Sequence, residues 1–298
     1  DPAPVARGGC GGYPSVRVRP RRARMPRMSE PRISHPGENC WRIEPADRAA
    51  FLIDGERYYA AFREAVLRAR RRLFILGWDI DSTLRLVRDG EAQDQGLGAF
   101  LNEVVSRRPD LEAYVLIWDF AMIYTFEREW LPVYRLGWKT HRRLHFRLDD
   151  RHPVGGSQHQ KVVVIDDALA FAGGMDLSKS RWDTPEHRPD DPRRVDSDGS
   201  DYVPYHDVQV MMDGKAAAAL GELARERWQR ATGQRLDPPE PAGDPWPATV
   251  EPDLTGVDVT VARTLPRYGR RPEVREVERL YLDGIAAKNI DMQQEAVA

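Results

Sequence analysis

Cysteine is nearly absent. The chain of 298 residues has two, Cys10 and Cys40. Residues so far apart make neither a CxxC pair nor a metal-ligand spacing, which argues against a disulfide framework and points to a reducing compartment. No apolar run reaches the ~18 residues that a membrane-spanning helix needs. The N-terminal stretch lacks the apolar core of a secretory signal. The expected location is the cytoplasm, with membrane association as the alternative. An excess of one charge is also missing: 45 basic against 47 acidic residues give a formal net charge of −2. That balance supplies no global attraction to nucleic acid or to an anionic membrane, so any polyanion binding has to come from a local patch.

What remains is enough for a packed core, with 41% hydrophobic residues. Residues 1–30 are rich in Gly, Pro and Arg without an apolar period, and a disordered basic tail is expected. From Arg48 the pattern becomes globular. "AAFLID" reads as a short strand and "GERYYAAFREAVLRARR" as a helix, with Tyr59, Phe62, Val66 and Ala69 on one face. "RLFILGWDID" and "LEAYVLIWDF" read as buried strands separated by the helix "QGLGAFLNEVVSRR". "FEREWLPVYRLGW" reads as a third helix that Pro132 is able to kink. Strands alternating with helices predict an α/β fold with a mixed, largely parallel sheet flanked by helices. "DTPEHRPDDPRRVDSDGSDYVP" is expected to be a long surface loop. It is followed by the strand "YHDVQVMM" and by a helix from Gly214 with Ala217, Leu220, Leu223 or Ala224, and Trp228 on one face. Residues 236–256 are Pro-rich and read as a linker. "GVDVTVARTLP" reads as a strand and "EVREVERLYLDGIAAK" as a helix.

The segment "QHQKVVVIDDALAFAGGMD" carries the chemistry. Residues i and i+2 of a strand share a face, so His159, Lys161, Val163 and Ile165 are expected to point one way. An imidazole is able to act as nucleophile or proton carrier, and an adjacent ammonium stabilises an oxyanion. The pair suits attack on a phosphorus centre. Gly173 and Gly174 allow close backbone approach, either to a ligand or to a neighbouring element in plain tight packing. Asp166 sits where the strand turns, and Asp167 beside it suggests a turn pair. Trp78, Asp79 and Asp81 end a strand, where sites of α/β folds gather, although core packing is the expected role of Trp78. His206 is expected on the face opposite Asp207. Trp182 and His187 read as exposed loop residues, with lining a pocket as the alternative, and Arg70–Arg72 as a solvated helix end.

The spacing His159-x-Lys161, four residues, Asp166, then six residues to Gly173–Gly174, resembles the signature of the phospholipase D superfamily. The resemblance extends to "FLIDGERYYAAFREAVLRARRRLFILGWDID", "RWDTPEH", "YHDVQVMMDGKAAAALGELARERW" and "VARTLP", roughly residues 30–288. It implies that His159 attacks a phosphodiester and becomes a phosphohistidine, and that Lys161 holds the phosphate oxygens. It places Asp166 in the catalytic motif and makes Asp207 the carboxylate that orients the histidine. Gly173, Gly174 and Asp176 fall at the substrate side. Asp176 stands where relatives often carry Asn, which puts its phosphate contact in doubt, because a second carboxylate repels an anion. No cofactor or metal is implied. The implied partner is a phospholipid or another phosphodiester, with peripheral membrane contact. Nucleic acid is disfavoured by the charge balance.

The family uses two copies of the motif, one for the nucleophile and one for the acid. Of the seven histidines here, only His159 has Lys two positions later. The expectation is a catalytic half over 31–235, a linker over 236–256 and the start of an incomplete second half over 257–298, cut by truncation or frameshift. A homodimer or a separate second half would complete it. The expected function is phospholipid headgroup cleavage. The alternatives are a homodimeric nuclease and a catalytically silent half-domain.

Overall fold

The computed structural model describes residues 33–88, 95–119 and 141–295, with side chains to residue 287. The expected tail over 1–30, Cys10 and the helix expected around Pro132 lie outside these residues. Strand β1 (Arg42–Ile53) leads into helix α1 (Asp54–Val66), whose acidic first turn, Asp54 and Glu56, suits the positive end of the helix dipole. Tyr59, Phe62, Val66 and Ala69 are all fully buried, as their spacing predicts. β2 (Arg72–Gly77), α2 (Leu97–Arg107), β3 (Glu112–Trp118) and β4 (Leu144–Asp149) follow. β5 (Lys161–Ile165) and β6 (Leu169–Gly173) form a hairpin. Its turn residues Asp166 and Asp167 have φ of 53° and 52°, the signature of a type I′ turn, whose twist matches that of the flanking strands.

β7 (Val208–Asp213), α3 (Gly214–Thr232) and β8 (Leu254–Val261) complete the large sheet. β9 (Thr264–Leu265) and β10 (Val274–Arg275) pair apart from it, and α4 (Glu276–Glu295) ends the described chain. Tyr281, Leu282 and Ile285 of α4 are exposed. Among the described residues no helix is long and apolar enough to cross a membrane.

Among the described residues the sheet has eight strands, in the order β4-β3-β2-β5-β6-β7-β1-β8. It is mixed, as expected, and β4, β3, β2, β6 and β1 all run in one direction. Among the described residues the ladders are parallel only at β2–β3 and β3–β4. The reason is the β5–β6 hairpin, which enters the middle of the sheet and sets an antiparallel ladder on each side. Helices α1 and α2 cover one face, where Val163, Ile165 and Phe171 meet Tyr58 and Phe62. Helix α3 covers the other, with Leu220, Leu223 and Trp228 against Phe74, Val162 and Val164. β5 is thus apolar on both faces, which explains its unbroken run of β-branched residues.

Two regions differ from the sequence reading. The loop before β7 is not a plain surface loop: Trp182, Asp183, Thr184, Asp191, Arg194 and Asp196 are buried. Its charges are satisfied internally, as where Arg194 Nη1 meets Asp183 Oδ1 at 3.1 Å, and Trp182 lies under the guanidinium groups of Arg88 and Arg193. The Pro-rich stretch has no helix or strand before β8, yet it buries Trp246, whose indole N–H donates to the Val250 carbonyl at 2.8 Å. β8 then pairs with β1, so residues on both sides of the 236–256 stretch share one sheet.

Candidate active site

The topology gathers chemistry at one end of the sheet. Strands β1 to β4 and β6 finish there, and β5 and β7 begin there. That end therefore collects Trp78, Trp118, Asp149, His159, Lys161, Asp176 and Asp207. His159 is exposed and lies just before β5, not within it. Lys161 opens β5 and is buried, at 7% exposure. Its ammonium donates to the His159 carbonyl at 3.3 Å and pairs with Asp176 Oδ2 at 3.1 Å. Trp78 is not a core residue. It is half-buried, presents its ring to His159 edge-on at 5.9 Å and stacks on Trp118 at 5.7 Å.

The electrostatics favour a neutral imidazole. Burial and the Lys161 ammonium hold His159 below the ordinary histidine value, against an opposing pull from Asp176. Burial pushes the Asp176 carboxyl up, although Lys161 and the backbone N–H groups of Trp78 and Asp79 pull the other way. The Trp78 N–H reaches Asp176 Oδ1 at 2.9 Å, and the Tyr59 hydroxyl donates to the Asp176 carbonyl at 2.9 Å. Asp176 is therefore held from three sides, with one oxygen committed to Lys161.

Gly173 and Gly174 answer to packing. A Cβ on Gly173 would lie 2.4 Å from the Val208 carbonyl oxygen, and one on Gly174 would lie 2.4 Å from Asp207 Oδ1. The pair lets β6 press against the start of β7 and brings the Asp207 carboxylate onto the motif. Asp207 is occupied there: Oδ2 accepts from the Tyr205 hydroxyl at 3.1 Å and Oδ1 from the Val208 N–H at 2.7 Å. No hydrogen bond joins Asp207 to His159 among the described residues.

Asp166 is not brought to the cluster. It sits at the far end of β5, is 4% exposed, and accepts from the N–H groups of Arg70, Arg71 and Arg72 at 2.8, 2.7 and 2.7 Å. The Arg run is thus the segment that Asp166 ties to the hairpin turn, and the motif aspartate lies away from the cluster. Asp166→Ala is expected to cost roughly 3 kcal/mol in urea unfolding, since three donors lose a charged acceptor. Turnover per folded molecule should stay unchanged. A catalytic loss at unchanged stability would return Asp166 to the active site.

Sequence reasoning missed Arg227. It lies on the buried side of α3 and reaches Asp149 Oδ2 at 2.6 Å, with exposures of 4% and 1%. Its other nitrogen binds the Gln160 side chain. Gln160 separates His159 from Lys161 and points to the opposite face, so Arg227 holds the motif from behind. Burial pushes the guanidinium of Arg227 down, opposed by Asp149. A charge between Ala224 and Trp228 was the available signal, because an Arg inside an apolar stripe needs a buried partner.

No family model matches the chain. Among curated proteins, phospholipase D C of Dictyostelium discoideum is 27% identical over 212 residues, covering 62% of this chain and 13% of that protein. Phospholipase D B of the same organism is 25% identical over 298 residues, covering 81% of this chain and 24% of that protein. The chain thus spans a quarter or less of the length of either relative. Among solved structures, the phosphatidylserine synthase of Haemophilus influenzae matches with a TM-score of 0.41 at 15% identity, over 60% of this chain and 38% of that one. These similarities to phospholipases D support the phospholipase D superfamily, whose signature the spacing of His159, Lys161 and Asp166 resembles.

Proposed function

We propose that the chain is a phosphodiesterase that cleaves phospholipid headgroups, or passes the phosphatidyl group to an alcohol, through a phosphohistidine at His159. The observation that carries this reading is an exposed imidazole, biased to its neutral form, beside the buried ammonium of Lys161. A ring nitrogen of His159 forms a bond to phosphorus as the bond from phosphorus to the leaving oxygen breaks, and that oxygen takes a proton. Water or an alcohol then attacks phosphorus and breaks the P–N bond. Lys161 receives the charge that builds on the phosphate oxygens. Because Asp176 already pairs with Lys161, a phosphate group competes with that carboxylate, and proton uptake by Asp176 frees the ammonium. Asp207 takes the positioning role once substrate is bound, since catalytic hydrogen bonds of a free enzyme often tighten only in the complex.

One histidine serves as nucleophile, so the proton for the leaving oxygen is assigned to a second copy of the motif, on another chain or on sequence beyond these residues. The names of the curated relatives support a phospholipid substrate, and the net charge of −2 weighs against duplex binding. The test incubates the chain, at the high concentration that favours pairing, with phosphatidylcholine vesicles and a primary alcohol, and in parallel with DNA at two salt concentrations. Choline release with phosphatidyl transfer is expected. DNA cleavage, with binding that falls steeply as salt rises, would replace this reading with the nuclease.

A further inference from the structure

Three residues that the proposed reaction does not use meet beside the start of β7. They are Asp54 at the first position of α1, His187 in the long loop, and His206 just before Asp207. Asp54 is fully buried. Its Oδ1 lies 2.8 Å from His206 Nδ1 and its Oδ2 lies 3.3 Å from His187 Nε2. Although buried, Oδ2 accepts no hydrogen bond. His206 is 63% exposed, so the cluster opens to solvent on that side.

The second sphere fixes the chemistry of His187. Its Nδ1 is 3.1 Å from Asp183 Oδ2. Asp183 is fully buried and also accepts from the Thr184 N–H at 2.8 Å, the Tyr205 N–H at 2.9 Å and Arg194 at 3.1 Å. Asp183 is surrounded by donors and acts as an acceptor throughout, so Nδ1 of His187 is assigned as one more donor to it. In a neutral ring Nε2 then presents a lone pair to Asp54 Oδ2. Two facing acceptors are reconciled by a proton or a metal ion between them, and the 3.3 Å contact makes no hydrogen bond to Oδ2. A carboxylate that orients a histidine whose other nitrogen is turned inward is the arrangement that metal sites use.

We propose that Asp54, His187 and His206 bind one divalent transition-metal ion of the zinc type. Their ligand atoms all lie within 4.8 Å of one another, so a small closing movement would seat an ion at about 2.0–2.2 Å from each. Two imidazole nitrogens and one carboxylate suit zinc or cobalt, whereas calcium and magnesium prefer oxygen donors. Three protein ligands leave a further position for water. Asp54 and His187 also hold left-handed backbone, with φ of 65° and 45°, a strain that persists where surrounding contacts over-determine it. The ion ties together the start of α1, the loop and the start of β7. The Asp54 N–H donates to the Asp207 carbonyl at 2.9 Å, so the ion stiffens the sheet end that carries Asp207.

The test uses the full chain, stripped with chelator and kept in reductant. Zinc is titrated in competition with a chromophoric chelator, and cobalt serves as an absorption probe. One tight equivalent and a zinc-dependent rise in melting temperature are expected. His206→Ala and His187→Ala should each weaken zinc by more than about 100-fold, because even outer-sphere partners cost about 10–100-fold, while His35→Ala should match wild type. His206 is exposed, so its truncation keeps the fold and decides the question even if His187→Ala unfolds. Equal zinc affinity and an equal cobalt spectrum in wild type and His206→Ala would overturn the site.

Discussion

In His159→Ala, the burst of phenolate released from an aryl phosphodiester should disappear, with the first-step rate falling by at least about 10⁴-fold. An aryl phosphodiester is chosen because its leaving group departs as a stable anion and needs no acid. The first step then depends on the nucleophile and on Lys161, and a single copy of the motif suffices for it. His159 is exposed and precedes β5, so alanine there removes no core contact. In wild type the burst should grow as pH rises through the His159 titration, which burial and Lys161 place below the ordinary histidine value. The sign follows from the mechanism: the imidazolium has no lone pair, and a lowered value leaves the ring neutral near pH 7. A burst of unchanged size in His159→Ala would put the nucleophile elsewhere.

The second large effect appears when the leaving group is an alkyl alcohol. Such an oxygen departs only as it is protonated, and losing a general acid costs about 10²–10⁴-fold. A monomer of this chain should therefore be slower by that range on an alkyl diester, while the aryl burst is retained. If two chains pair through the same surface, as isologous interfaces do, each supplies the other's acid. Alkyl diester activity should then rise with the square of protein concentration at low occupancy. Sedimentation alongside the assay separates this from aggregation. Full specific activity on the alkyl diester in a demonstrated monomer would sink the need for a second motif.

Helix faces and strand cores were legible because they depend on local period. Tyr59, Phe62 and Val66 announce the buried side of α1, and the β-branched run after Lys161 announces a central strand. The turn at Asp166–Asp167 was legible for the same reason. The site was legible only where the motif is contiguous. Trp78 reads as core because strand ends and strand middles share one composition, and only the neighbouring strands decide which part meets solvent. Arg227 meets Asp149 from 78 residues away, and Asp54 meets His206 from 152 residues away. Those pairings depend on the strand order, which places β1 next to β7, and no local pattern encodes that order. The loop around Trp182 and Asp183 misleads for a related reason. Its charges look solvated one by one, yet Arg194 and His187 satisfy Asp183 inside the fold.

The central claim is that His159 itself bonds to phosphorus. The most direct measurement quenches the chain with alkali within the burst on an aryl phosphodiester and maps the adduct by peptide mass spectrometry, since a phosphoramidate survives alkali. The account predicts, on the peptide containing His159, the phosphoryl group with its unreleased ester group, in proportion to the phenolate released and missing from His159→Ala. An adduct on another residue, or phenolate release with no adduct on His159, would contradict it.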